Sequence, residues 1–239
     1  MEEELELEAA PYTLQILHTS DQEAGVPALT DIIGFSAVLN SLDGNFTNSL
    51  KLSSGDLFIA GPIFSASQDV YEEGEPGYAD ILIQNLIGWD AAAVGNHEFD
   101  AGAEAFFNLV APNSETTNGE LGGVGIGPNG YLGTLYPYLA TNLDYSAAEL
   151  PEGVNVVEGG QAPEANSLTS SVIINVNGEE IGVLGTVTPY LESIANTDEV
   201  IVTTGDEITA TTPIDEQVDA IKQNIAPEVQ ALTDAGVNK

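Results

Sequence analysis

The stretch Gly95-Asn96-His97-Glu98-Phe99-Asp100 decides the reading of this chain. It crowds an amide, an imidazole and a pair of carboxylates onto a turn opened by glycine, directly after the short apolar run from Asp90 to Val94. An apolar run that breaks into glycine and polar residues reads as a buried strand delivering side chains to its carboxyl end. In open α/β sheets that end is where ligands gather. A plainer reading of Asp100 is a cap for a helix starting near Ala101.

Working outward, the same pattern recurs twice upstream. Tyr12 to Thr19 alternates like a strand and runs into Ser20, Asp21 and Glu23, and Ser49 to Ser53 runs into Ser54, Gly55 and Asp56. Between these runs, Thr30 or Asp31 can cap a helix reaching Leu42, and Tyr78 to Leu86 is amphipathic and stops at Gly88. Ala101 to Val110 also reads as helical. The glycine-rich span from Pro112 to Gly133 lacks periodicity and reads as a long surface loop.

Downstream, Tyr138 to Ala140 leads to Thr141 and Asn142. Ser170 to Val176 and Glu180 to Val187 flank Asn177-Gly178, a dipeptide suited to a tight hairpin turn. A helix over Asp215 to Leu232 carries Pro227, which predicts a kink or break. Alternating strands and helices followed by a hairpin predict a layered α/β domain.

Composition limits the partners. The 239 residues hold no cysteine, which excludes disulfide scaffolds and thiolate metal sites, and no apolar run approaches the length needed to insert in a membrane. The formal charge of −35 repels nucleic acid polymers and anionic membrane surfaces. Salt or bound divalent cations would relieve the self-repulsion, which points to a secreted, periplasmic or extracellular setting. The start, Met1 followed by alternating Glu and Leu to Glu8, is no signal peptide and reads as a trimmed mature end or an arbitrary boundary. Residues 1–11 therefore read as an acidic extension.

Across these turns the sequence resembles the 5′-nucleotidase family of metallophosphoesterases, within the calcineurin-like superfamily, over about Leu14 to Val237. The resemblance implies a layered α/β fold of αββα type with mixed β-sheets, and makes residues 12–239 a partial catalytic domain. It implies hydrolysis of a nucleotide or other phosphomonoester at a centre of two divalent metal ions. In that family an Asp matching Asp21 binds the first metal, an Asp matching Asp56 bridges both, and an Asn matching Asn96 binds the second. His97 would stabilise charge on the transferred phosphoryl or its leaving oxygen, with Asp100 orienting the imidazole.

Two departures qualify the resemblance. Family members usually carry His where this chain has Glu23, a harder ligand that by donor softness shifts preference from zinc toward manganese, iron, magnesium or calcium. The family also completes its second metal site with histidines from later strands, whereas the histidines here are His18 and His97. The chain is therefore read as a fragment that stops before those ligands, incomplete on its carboxyl-terminal side and weakly active by itself. An unpaired sheet edge inviting self-association is expected to follow. The rival reading is a non-catalytic acidic cation-binding or interaction module that keeps the fold. His18, inside a strand, reads as structural.

Overall fold

A computed structural model describes residues 11–22, 28–120, 125–204 and 208–239. In chain order the strands are β1 (Gln15–Thr19), β2 (Ser49–Ser53), β3 (Ala91–Ala93), β4 (Tyr138–Leu139), β5 (Leu143–Asp144), β6 (Asn155–Val156), β7 (Ser167–Thr169), β8 (Ser171–Val176), β9 (Glu179–Leu184) and β10 (Ile201–Val202). The helices are α1 (Ala28–Asp43), α2 (Pro62–Val70), α3 (Tyr78–Ile87), α4 (Ala103–Val110) and α5 (Ile214–Asp234).

Among the described residues, six strands form a sheet in the order β1-β2-β3-β4-β7-β6, and every pairing in it is parallel. Parallel sheets are stable when both faces are covered, and here the side-chain alternation divides the covers. Ala92, Tyr138 and Leu168 join the large cluster built with Trp89, Phe99 and Phe106. Ala91 and Leu139 point the other way and pack with Val172, Ile174 and Val183 of the β8–β9 hairpin. Leu50 does the same with Val176 and Ile181. The hairpin is thus a second β layer, antiparallel where the main sheet is parallel.

Local chemistry explains most boundaries. Asn177 (φ 53°) and Gly178 (φ 97°) both take positive φ, the requirement of the tightest hairpin turn. Gly88 ends α3 in the left-handed region, its N–H bonded to the Gln84 carbonyl. Among the described residues, the long loop after α4 holds no strand, only isolated bridges such as Asn113 to Tyr131. Pro227 neither breaks nor ends α5, which runs unbroken from Ile214 to Asp234. Of its residues only Gln217 and Leu232 are buried, so little packing depends on the backbone bond the proline removes.

Strand β1 is an outer strand of the sheet, with Ile16 56 % exposed. His18 on the same strand is exposed. The acidic extension, residues 1–11, lies outside the described residues except for Pro11.

Helix α3 also buries a carboxyl group. Asp80 is 8 % exposed, and burial pushes its pKa from 3.8 up to about 6. A group whose pKa is raised on folding contributes stability that is present below its unfolded pKa and lost as pH rises through the folded value. Asp80→Asn is therefore expected to gain on the parent chain by roughly 2 kcal/mol between pH 4 and pH 7. Urea unfolding of both proteins at the two pH values measures this, and a constant difference would contradict it.

Candidate active site

The loops that follow β1, β2 and β3 leave the sheet from the same end, because those strands are parallel and adjacent. Hydrogen bonding continues past the strands and zips the first two loops together. Ser54 N–H donates to Thr19 O (3.1 Å), Asp21 N–H to Gly55 O (3.3 Å) and Gln22 N–H to Asp56 O (2.8 Å). Asp21 and Asp56 both sit at φ 52°, in the left-handed region that Asp tolerates better than most residues but at some cost. Strain at these two carboxylates is the kind held at functional turns.

The second and third loops meet even more closely. A Cβ added to Gly55 (φ 98°) would lie 2.5 Å from the Gly95 nitrogen, and one added to Gly95 would lie 2.2 Å from Asp56 Oδ1. Glycine at both positions is what lets the backbones approach and keeps the Asp56 carboxylate uncovered. Asp56 Oδ1 accepts the His97 backbone N–H (2.8 Å), which brings the Asn96-His97 turn onto the Asp56 turn.

Glu98 fastens this junction. It is 1 % exposed and accepts N–H groups from Gly95 (2.8 Å), Asp56 (3.0 Å) and Leu57 (3.0 Å). Burial raises its pKa to about 7, opposed by those three donors and reinforced by nearby Asp56. In the sequence Glu98 stands among the strand-end donors with nothing to assign it this role. Its spacing from Gly95 is that of a capping box, the one local signal that it would turn inward.

His97 lies in the short 3-10 turn His97–Phe99, and its Nδ1 is 2.8 Å from Asp100 Oδ2. Both side chains are about a quarter exposed, at 28 % and 26 %. Asp100 is thus engaged with the imidazole. Helix α4, which starts at Ala103, takes its cap from elsewhere: the Ala103 N–H donates to Asp198 Oδ2 (2.9 Å). Asp100 bonds the imidazole, and the first N–H of α4 goes to Asp198 instead.

Another support was not assigned from sequence. Asn142, fully buried just past β4, donates to Val187 O (2.9 Å) and accepts from Val187 N–H and Thr186 Oγ1 (2.9 Å each). It ties the end of the sheet to the segment after β9.

Of the sequence-derived residues, Asp21, Asp56, Asn96, His97 and Asp100 therefore lie on turns that are bonded to one another, and Glu23 lies outside the described residues. Among the described residues no group of three or more His, Cys, Asp or Glu side chains converges as a metal cluster. Asp21, Asp56 and Asn96 offer side-chain oxygens, the donor type that a hard divalent cation takes.

Comparison with known proteins gives a consistent relationship. No family model matches the chain. It is 26 % identical over 183 residues to the trifunctional nucleotide phosphoesterase protein YfkN of Bacillus subtilis, covering 74 % of this chain and 11 % of that protein. It is 27 % identical over 189 residues to a 5′-nucleotidase of Diplobatis ommata, covering 74 % and 26 %. The crystal structure of a 5′-nucleotidase precursor from Thermus thermophilus matches with a TM-score of 0.59 at 19 % identity, over 95 % of this chain and 36 % of that one, which fixes the fold. The chain thus spans about a tenth to a quarter of the length of these two curated relatives.

Proposed function

We propose that this chain, a homologue of 5′-nucleotidases and nucleotide phosphoesterases, forms part of an enzyme that hydrolyses phosphate esters. The substrate is a nucleotide or another small phosphomonoester, and residues 12–239 contribute the amino-terminal part of the catalytic domain. One observation carries the reading. The turns bearing Asp21, Asp56 and Asn96-His97 are hydrogen-bonded to each other at one end of a parallel sheet, with His97 held by Asp100.

In this reading Asp21, Glu23, Asp56 and Asn96 would hold divalent cations. Such cations supply charge neutralisation for phosphoryl oxygens and make water a competent nucleophile near neutral pH. The rest belongs to the chain. Asp56 is fixed through Oδ1 by the His97 N–H, so its carboxylate keeps one orientation. Asp100 fixes the imidazole through Nδ1, and His97 stabilises the transferred phosphoryl group or donates to the departing oxygen. Glu98 keeps the two turns in register.

The surplus of 38 acidic over 3 basic residues favours a saline or cation-rich exterior, hence secretion or a periplasmic place. No helix of the described residues is long and apolar enough to cross a membrane. An unpaired sheet edge would be the surface on which copies associate, against the repulsion of that charge.

The test is phosphate release from AMP and p-nitrophenyl phosphate by the protein carrying this chain, with manganese and then with EDTA. Release that depends on manganese and falls at least about a hundredfold in Asp56→Asn is expected. Release that EDTA leaves intact would overturn the metal-dependent reading.

A further inference from the structure

The stretch Asp43-Gly44-Asn45-Phe46-Thr47 holds the one Asn-X-Thr or Asn-X-Ser triplet of the 239 residues. Such a triplet, with no proline in its middle, is the acceptor for N-linked glycans on surface loops of exported proteins. Asp43, two places before the Asn, also supplies the acidic residue that bacterial forms of the acceptor require. A triplet by itself decides little, since the folded chain can bury it or tie up its amide.

Here the fold presents it. Residues 44–48 form the turn between α1 and β2, and Asn45, Phe46 and Thr47 are all exposed. Among the described residues no hydrogen bond engages the Asn45 amide or the Thr47 hydroxyl. Neighbouring amides are taken: Asn48 Nδ2 donates to Thr13 O (2.9 Å), and Asn177 Nδ2 donates to Thr47 O (2.8 Å). The backbone of the turn is thus fastened while the acceptor nitrogen stays free. Beside it lies a groove of ≈ 480 Å³ lined by Asn45, Phe46, Tyr12 and Glu179. Phe46 is 52 % exposed, and the negative face of an aromatic ring suits the C–H face of a sugar. The turn precedes β2 whereas Asp56 follows it, so sugars there leave the candidate active site open.

We propose that Asn45 carries an N-linked glycan whose first sugar lies in this groove on Phe46. In the transfer, Asn45 Nδ2 bonds to the anomeric carbon of a polyprenyl-diphosphate-linked oligosaccharide and gives up one proton. The carbon–oxygen bond to the diphosphate breaks, its electron pair leaves with the lipid diphosphate, and nothing is oxidised or reduced. The inference rests on the exterior placement proposed above and not on the hydrolase reading.

Secretion of the chain from cultured animal cells, with intact-mass measurement before and after peptide N-glycosidase treatment, tests this. The expected result is added mass that the enzyme removes, leaving an aspartate in place of Asn45. Asn45→Gln and Thr47→Ala are each expected to abolish the added mass, and Thr47→Ser to retain it. The glycosylated chain is expected to melt about 2–4 °C above Asn45→Gln, and that gap to close in the Phe46→Ala background. A folded, secreted chain without added mass, or added mass that survives Asn45→Gln, would overturn the acceptor. An unchanged melting gap in Phe46→Ala would overturn the seat on Phe46. A chain glycosylated in this way but bare when isolated from its own cells would refute the exterior placement, and the proposal with it.

Discussion

Glu98→Ala is expected to lower the unfolding free energy by roughly 3–6 kcal/mol, a large part of what a domain of this size possesses. The side chain is 1 % exposed and meets three backbone N–H groups, on Gly95, Asp56 and Leu57. Alanine leaves all three donors without a partner in a place water does not reach, and each such group costs about 1–3 kcal/mol. The pH dependence carries a definite sign. Burial raises the Glu98 pKa from 4.5 to about 7, so its contribution is fully present below pH 4.5 and declines as pH rises through about 7. The penalty of Glu98→Ala should therefore be larger at pH 5 than at pH 8. Urea unfolding followed by circular dichroism at both values measures it, and a loss below about 1 kcal/mol would show that Glu98 does not hold the junction.

His97→Ala is expected to leave the fold intact and cost on the order of a hundredfold or more in turnover. The side chain is 28 % exposed and belongs to no apolar cluster, so its removal opens no core cavity. Its backbone N–H, which holds Asp56, survives the substitution. The expected loss is thus confined to the chemistry of the ring. Asp100→Asn should cost about tenfold, since it weakens orientation of the imidazole without removing it. Steady-state rates on p-nitrophenyl phosphate, alongside thermal melting of each variant, separate these effects. An unchanged rate in His97→Ala would remove the residue from the mechanism.

Much of this arrangement is legible in the sequence because its determinants are local. Strand β2 runs over Ser49–Ser53 as the pattern predicts, and Asn177-Gly178 announces the hairpin. Gly88 marks the end of α3 through its conformation. Each of the strand ends bearing Asp21, Asp56 and Asn96 is read from a change between apolar and turn residues.

What the sequence hides is set by distance or by brevity. Helix α2 over Pro62–Val70 carries mixed polar residues and buries only Phe64 and Ser67, too sparse a stripe to show periodicity. Strands β6 and β7 are two and three residues long, too short for alternation to register. The functions of Glu98 and Asn142 depend on partners about 40 residues away, at Asp56, Leu57 and Val187, which no local pattern encodes. Pro227 misleads for the opposite reason: a local rule predicts a break, and an exposed helix tolerates the loss of one bond.

The central claim is that the turns bearing Asp21, Asp56 and Asn96 hold divalent cations beside His97. Anomalous diffraction from crystals grown with manganese tests it most directly. The account expects an anomalous peak within about 2.6 Å of side-chain oxygens of Asp21 and Asp56, next to the Asn96 turn. Manganese bound only elsewhere, with those carboxylates bare, would contradict it.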